Sequence, residues 1–338
     1  MYVDVALDSI ITYAITVGAS DIHFDPILNG IQVRLRIDGL LTEYMLVDAT
    51  DADMLVNRIK VFSGMDISEK RLPQDGRWEW SVKSYAVTMR VSSLPSLYGE
   101  AIVCRLMGNE GVHKNLLELG MDVELQEKIA ALLKWPYGLI TICGPTGSGK
   151  TATLYAMLRM LNLKENKLIC LEDPVEATIE GAIQIGINEK IGFTFSKGLR
   201  TVLRQDPDSI MIGEIRDNET AQLAVKAALT GHRVITTVHT NTALGVIGRL
   251  VDMGVEPYLL HATLIGSLSQ RLVRRIDRTT HSYQGRLGLF EYLEIPFSDI
   301  DWDHVEQYMF TSLQDSAHLA INSGITTLEE VHRAGILL

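Results

Sequence analysis

Apolar residues at Val3, Leu7, Ile10, Ile11, Ala14 and Val17 recur at helical spacing, with Gly18 behind them as a stop. The chain is therefore expected to open on an amphipathic helix. The period then changes to two. Ile22 and Phe24 lead to a turn at Asn29-Gly30, and Ile31, Val33, Leu35 and Ile37 alternate with Gln32, Arg34, Arg36 and Asp38 before a second turn at Asp38-Gly39. Turn dipeptides beside alternating residues predict antiparallel hairpins. A helical stretch over 51–63 and strands through Trp78, Trp80 and Val82 and through 86–91 complete a small α+β domain, residues 1–107. Residues 108–120 (GNEGVHKNLLELG), with three glycines, read as a linker. Residues 121–338 look different. Apolar runs at 139–143, 168–171, 210–212 and 234–238 alternate with helical patterns at 151–161, 220–229 and 259–276. That alternation predicts βα units on a largely parallel sheet, an α/β domain.

Composition narrows the function. A chain of 338 residues, 46% apolar and 22% charged, can bury two cores without disulfides or metals. The net charge of −11 argues against a nucleic-acid coat and against a polybasic membrane binder. It is unevenly spread: residues 1–107 carry −4, 108–286 carry +1 and 287–338 carry −8, which makes the middle the place for anion binding and the end an acidic, helical portion. Cys104, Cys143 and Cys170 are too few and too scattered for a disulfide scaffold or a cysteine zinc site. With no 18-residue apolar run and no leader pattern at the N-terminus, the expectation is a cytoplasmic chain with reduced thiols and no transmembrane helix.

Residues 144–151 read Gly-Pro-Thr-Gly-Ser-Gly-Lys-Thr and fit G-x-x-x-x-G-K-[ST], the P-loop. The context is right, because an apolar strand leads into the motif and a helix-forming run leaves it. Gly144, Gly147 and Gly149 let the backbone curl so that N–H groups face phosphate oxygens, and the following helix adds its positive end. Lys150 reaches the β and γ phosphates of a bound nucleotide, and the Thr151 hydroxyl is the candidate Mg²⁺ ligand. The candidate nucleotide-contacting set is Gly144, Pro145, Thr146, Gly147, Ser148, Gly149, Lys150, Thr151 and Ala152.

A P-loop needs a carboxylate at the end of a neighbouring strand. Two apolar runs end in one, at Glu172 and at Glu214. His232 and His239 flank the run at 233–237; seven residues apart, they do not match a common zinc spacing. They are open to a phosphate-sensing, a subunit-boundary or a purely structural role. Arg271, Arg274, Arg275 and Arg278 fall at i, i+3, i+4 and i+7, one face of a helix, which is either a partner surface or a solvated face.

These pieces together resemble the secretion ATPase superfamily of type II secretion and type IV pilus assembly. In the first domain the resemblance rests on Ala19-Ser20-Asp21-Ile22-His23, Arg34 to Gly39, Pro73-Gln74-Asp75-Gly76-Arg77 and Arg90 to Pro95. In the second it rests on the P-loop, on Leu171 to Glu176 (similar to the Asp box), on Gly213-Glu214-Ile215-Arg216-Asp217 (an atypical Walker B), and on Thr230-Gly231-His232 through Val238-His239-Thr240 (the His box).

The resemblance implies a RecA-like ATPase domain behind a PAS-like domain. It implies hydrolysis of ATP with Mg²⁺ by a homo-hexameric motor, peripheral at the cytoplasmic membrane through an inner-membrane platform protein. Carried over by motif, Glu172 is the general base, Glu214 organises Mg²⁺ and water, and His232 and His239 couple nucleotide state to domain position. Arg77 and Arg90 reach the γ-phosphate from the first domain; the alternative for each is a sheet-face ion pair. The Pro-Gln-Asp-Gly-Arg and Ser-Leu-Pro segments look more like assembly than retraction motors. Two departures stand out. The tetracysteine segment that many assembly members carry after Gln270-Arg271-Leu272-Val273-Arg274 is missing, so no zinc is expected, and no platform-docking domain precedes Met1, as in a compact member or a shortened chain. A nucleic-acid motor and a nucleotide-gated scaffold with little turnover are the other readings; the charge balance disfavours the first, so no nucleic acid is expected, and Lys150, Thr151, Glu172 and Glu214 disfavour the second.

Overall fold

The computed structural model describes residues 3–82, 85–107, 111–296 and 300–338. The chain divides into two compact units, Met1–Glu110 and Gly111–Leu338.

The first unit runs α1 (Val3–Thr16), β1 (Ala19–Ile27), β2 (Gly30–Ile37), β3 (Leu40–Asp48), α2 (Ala49–Phe62), β4 (Gln74–Val82), β5 (Tyr85–Ser96) and β6 (Gly99–Met107). Its six strands form one antiparallel sheet in the order β3-β2-β1-β6-β5-β4. Period-two alternation sends Ile22, Phe24, Val33, Leu35, Trp78, Met89, Val91 and Ile102 into a core with Leu7, Ile10 and Ile11 of α1 and Leu55 and Ile59 of α2. On β4, β5 and β6 the residues between these inward positions include three arginines. Arg77 stands directly opposite Arg90, and Arg90 directly opposite Arg105. The row continues to Asp21, which is opposite both Arg105 and Arg36.

The second unit runs α3 (Val123–Leu132), β7 (Gly138–Cys143), α4 (Lys150–Leu158), β8 (Leu168–Glu172), β9 (Ile183–Gly186), α5 (Phe195–Val202), β10 (Ser209–Ile212), α6 (Asn218–Leu229) and β11 (Arg233–Val238). It continues with α7 (Gly245–Asp252), α8 (Pro257–Thr263), β12 (Leu264–Ile276), β13 (Tyr283–Glu294), β14 (Met309–Thr311), α9 (Leu313–Asn322) and α10 (Leu328–Arg333). The eight strands are ordered β14-β13-β12-β7-β11-β10-β8-β9. From β12 to β9 the pairs are parallel; β13 and β14 extend the sheet antiparallel. Both faces are covered, so β7 is buried at every position, with Leu139 and Cys143 in the core beneath α5–α8 and Ile140 and Ile142 in the core with α3 and α4.

Three expectations are corrected here. The helix expected over 259–276 stops at Thr263, and β12 follows as a central strand between β7 and β13. Its first eight residues are all buried, including Ser267, Ser269 and Gln270, so the polar positions that mimic a helical period are inside the sheet. The arginine stripe therefore does not exist as a helix face: Arg271, Arg274 and Arg275 are strand residues, and Arg278 lies beyond the strand. Third, the C-terminal portion is not wholly helical. It begins with β13, passes through a 3-10 turn at Trp302–Tyr308 and β14, and only then enters α9 and α10; residues 297–299 lie outside the described residues. The segment read as a linker is divided as well. Residues 108–110 lie outside the described residues, and Leu116 is buried in the core of the second unit.

The end of the chain is bonded to the sheet. Glu330 of α10, 1% exposed, accepts hydrogen bonds from the side chain and backbone N–H of Arg274 on β12 and from Arg333. Among the described residues no helix is long and apolar enough to cross a membrane.

Candidate functional site

Parallel pairing puts the carboxyl ends of β7, β8, β10 and β11 at one edge of the sheet, where ligands bind in open α/β folds. The loop after β7 is the phosphate-loop segment. Gly144, Gly147 and Gly149 all have positive φ, at 145°, 78° and 88°. A Cβ on Gly144 would lie 2.5 Å from Ser148 Oγ and 2.6 Å from the Gln270 carbonyl, and one on Gly149 would lie 2.9 Å from Gln270 Nε2. Only glycine allows this cradle. Lys150 starts α4 with its side chain folded back, donating to the carbonyls of Gly144 at 2.8 Å and Pro145 at 3.0 Å. Burial holds its ammonium below the usual lysine range, with Arg271 adding to the effect and Cys143 and Glu214 opposing it. Ser148 Oγ is buried with no hydrogen-bond partner. A curled backbone, a buried lysine, a helix start and an unpaired hydroxyl together fit a triphosphate, with Thr151 as first-turn hydroxyl beside it.

Glu214 follows β10 at the same edge. Its carboxylate is bonded to Arg216 on one side and lies 3.2 Å from His239 Nε2 on the other. Burial alone would raise its pKa, but Arg216 and His239 outweigh burial and the net shift is downward. Arg216 also lies 3.8 Å from Asp173 at the end of β8. The strand ends hold Glu214 in place: Thr237 Oγ1 donates to the Gly213 carbonyl, and the Gly213 N–H donates to Leu171.

Glu172 is brought to the same edge. It is 3% exposed, and both oxygens are engaged, one by the Tyr155 hydroxyl and one by Gln184 Nε2 at 3.0 Å. Burial raises its pKa, against the two hydrogen bonds. The Tyr155 hydroxyl also accepts from the backbone N–H groups of Glu176 and Ala177. These bonds join α4, β8 and the loop and strand that follow it through Glu172 and Tyr155. Asp173 and Glu176, on the loop these bonds hold, are the exposed carboxylates of that segment. The residue expected as general base thus lies at the carboxyl edge of the sheet with both oxygens held by neighbouring side chains, as Glu214 does.

His232 is corrected as a nucleotide contact within the chain. β11 runs parallel to β7 with Arg233 beside Gly138 and Val238 beside Cys143. His232 therefore sits at the opposite rim from the phosphate loop, about 20 Å away at strand rise. Its Nδ1 lies 3.0 Å from the Ala227 carbonyl. His239, at the carboxyl end of the same strand, faces Glu214.

Arg77 and Arg90 lie in the first unit, side by side on β4 and β5. Arg77 is exposed and 3.4 Å from Glu79, an ion pair along the strand face. Arg105 is bonded at 2.8 Å to Asp21, which is 3% exposed.

Several functional neighbours escaped the sequence reading. Tyr155 and Gln184 hold Glu172, Arg216 holds Glu214, and Gln270 lies against the phosphate loop. Arg216 carried a sequence signal, two residues from Glu214 in the same motif, and Gln270 opens the Gln-Arg-Leu-Val-Arg segment, to which no role was given.

Comparison with known proteins agrees with this geometry. The family described as Type II/IV secretion system protein matches residues 2–333. Type II secretion system protein E of Klebsiella pneumoniae is 49% identical over 270 residues, covering 80% of this chain and 54% of that protein. The chain thus spans about half the length of that relative. Type II secretion system ATPase E of Vibrio cholerae serotype O1 is 39% identical over 372 residues, covering 97% of this chain and 74% of that protein. The crystal structure of the pilus retraction motor PilT with bound ADP superposes with a TM-score of 0.68 at 28% identity, covering 96% of each chain. The chain belongs to the type II/IV secretion system protein family.

Proposed function

We propose that this chain is a ring-forming, Mg²⁺-dependent ATPase that drives type II protein secretion or type IV pilus assembly. It would work as a homo-hexamer on the cytoplasmic face of the inner membrane, against a platform protein. The observation that carries the reading is the meeting of the phosphate cradle, Lys150 and the Arg216–Glu214–His239 cluster at one edge of one sheet.

The reaction is ATP plus water to ADP plus phosphate. The loop N–H groups and the start of α4 hold the β and γ phosphates, and Lys150 leaves the carbonyls of Gly144 and Pro145 to meet them. Thr151 and Glu214 would hold Mg²⁺, which when bound would neutralise charge on the phosphate oxygens. Glu214, kept ionised by Arg216 and His239, orients the attacking water. Glu172 acts through Tyr155, fixing α4 and the loop at 173–177 to the sheet. Arg77 and Arg90 would supply guanidinium charge to the γ-phosphate, in the same chain or a neighbour.

Phosphate release by the purified chain tests this. Lys150→Ala should abolish nucleotide binding, and Glu214→Gln should keep binding while slowing turnover by about 10²-fold or more. Wild-type protein that binds no Mg²⁺-nucleotide would overturn the reading.

A further inference from the structure

Gln270 lies on β12 immediately beneath the phosphate loop, and the reading of the loop as a nucleotide site gives it no task. Its side chain is 1% exposed. Oε1 accepts the Thr153 hydroxyl of α4 at 2.7 Å, which fixes the plane of the amide. Nε2 is buried and donates to nothing. A Cβ placed on Gly149 would come within 2.9 Å of that nitrogen, so the amide lies against the last turn of the cradle. The Gln270 carbonyl in turn accepts from Arg271, so the backbone at this point is held as well.

An amide donor left unpaired in the interior is expensive, and such groups are rare. Here the neighbouring acceptors are already in use. The carbonyls of Gly144 and Pro145 both accept from the Lys150 ammonium. Phosphates draw that ammonium away, because a buried lysine facing an anion gains more there than on neutral carbonyls. The Gly144 carbonyl then loses that donor, while Pro145 keeps the Ser148 N–H; Gln270 packs on the same loop, its backbone against Gly144 and its amide against Gly149.

We propose that Gln270 is a positioning residue for the phosphate loop: its unpaired amide, packed against the loop at Gly149, gains a loop acceptor when the loop re-forms around phosphates and Lys150 leaves the Gly144 carbonyl, and so favours the nucleotide-bound loop over the free one. This rests on the ATPase reading. In the free protein the Nε2 group makes no bond, so replacing the amide costs only the Oε1–Thr153 bond that goes with it. In the bound protein it adds one hydrogen bond, and that asymmetry appears as affinity. Thr153 is the device that aims it.

Calorimetric titration with Mg²⁺-ADP tests the proposal, alongside the thermal midpoint of each nucleotide-free variant. Gln270→Met, which keeps length and removes the amide, should weaken binding by about tenfold, one hydrogen bond's worth. Its nucleotide-free midpoint should fall no further than that of Thr153→Val, which loses the same buried Thr153–Gln270 bond. Thr153→Val should weaken binding in the same direction, while Thr153→Ser, which keeps the hydroxyl, should bind as the wild type does. Affinity of Gln270→Met within twofold of wild type overturns the proposal. So does a fall in the nucleotide-free midpoint with unchanged affinity, which marks a plain brace between β12 and α4. Should Gln270→Met not fold, equal affinities of the valine and serine variants at Thr153 overturn it instead. Wild-type binding that Lys150→Ala abolishes keeps the nucleotide site intact in each of these cases; absent wild-type binding sinks the ATPase reading itself.

Discussion

The Tyr155 hydroxyl, one turn into the helix that the phosphate loop starts, is hydrogen-bonded to the Glu172 carboxylate at the end of β8. A displacement of α4 thereby reaches β8 and, through Gln184, β9. Tyr155→Phe removes the donor from a buried carboxylate and the acceptor from two backbone N–H groups. Thermal or urea unfolding should show a loss of about 2 kcal/mol, with nucleotide affinity reduced less than by Lys150→Ala. Unchanged stability would count against this link.

Glu172→Gln separates a bracing role from that of a base. If Glu172 only positions the segment, turnover should fall less in this variant than in Glu214→Gln, and the unfolding midpoint should move. A turnover loss of about 10³-fold at unchanged stability would mark Glu172 as the base.

Arg216 sets the ionisation of Glu214. In Arg216→Ala the burial of Glu214 is opposed by His239 alone, so the carboxylate pKa should rise. The acid limb of the pH profile for turnover should move to higher pH, read as kcat between pH 4 and 8. An unmoved acid limb would show that another group sets it.

Glu330 links acid sensitivity to the end of the chain. Burial opposes its ionisation, but Arg274 and Arg333 hold its pKa down at about 2, against 4.5 for a free side chain. A depressed carboxylate stabilises the fold above pH 4.5 and loses that contribution as pH falls towards 2, about 3 kcal/mol in all. Glu330→Gln should lower stability at pH 7 and flatten the acid-unfolding curve below pH 4.5. A variant as stable as wild type at pH 7 would refute the link.

Arg77 and Arg90 are register partners across β4 and β5, and the proposed function gives both to the γ-phosphate. Replacing either by Ala should cut turnover by about 10³-fold and leave ADP affinity nearly unchanged. Wild-type turnover per chain should rise with protein concentration if a neighbouring subunit completes the site. Concentration-independent rates would count against completion of the site by a neighbouring subunit.

The phosphate loop was legible because its glycines, lysine and flanking strand and helix lie within about 20 consecutive residues. Glu214 was legible as the polar end of an apolar run. Gln270 was not, because its partner Thr153 is 117 residues away and no local pattern joins them. β12 misled for a related reason: a strand covered on both faces needs no alternation, and buried Ser267, Ser269 and Gln270 imitate the polar side of a helix. The site of His232 depended on strand direction, which the spacing of two histidines does not contain.

β7 has a neighbour on each side, β11 and β12; the loop it carries packs against Gln270 and Leu272 of β12, and its Lys150 feels the charge of Glu214, the partner of His239 behind β11. A push delivered at the cradle has two exits. One leaves by the shoulder that ends in His239, towards Glu214; the other leaves by the shoulder that holds Gln270 and, further along, Arg274, which is tied to the last helix of the chain. A single stroke can thus be felt at both flanks of the sheet at once.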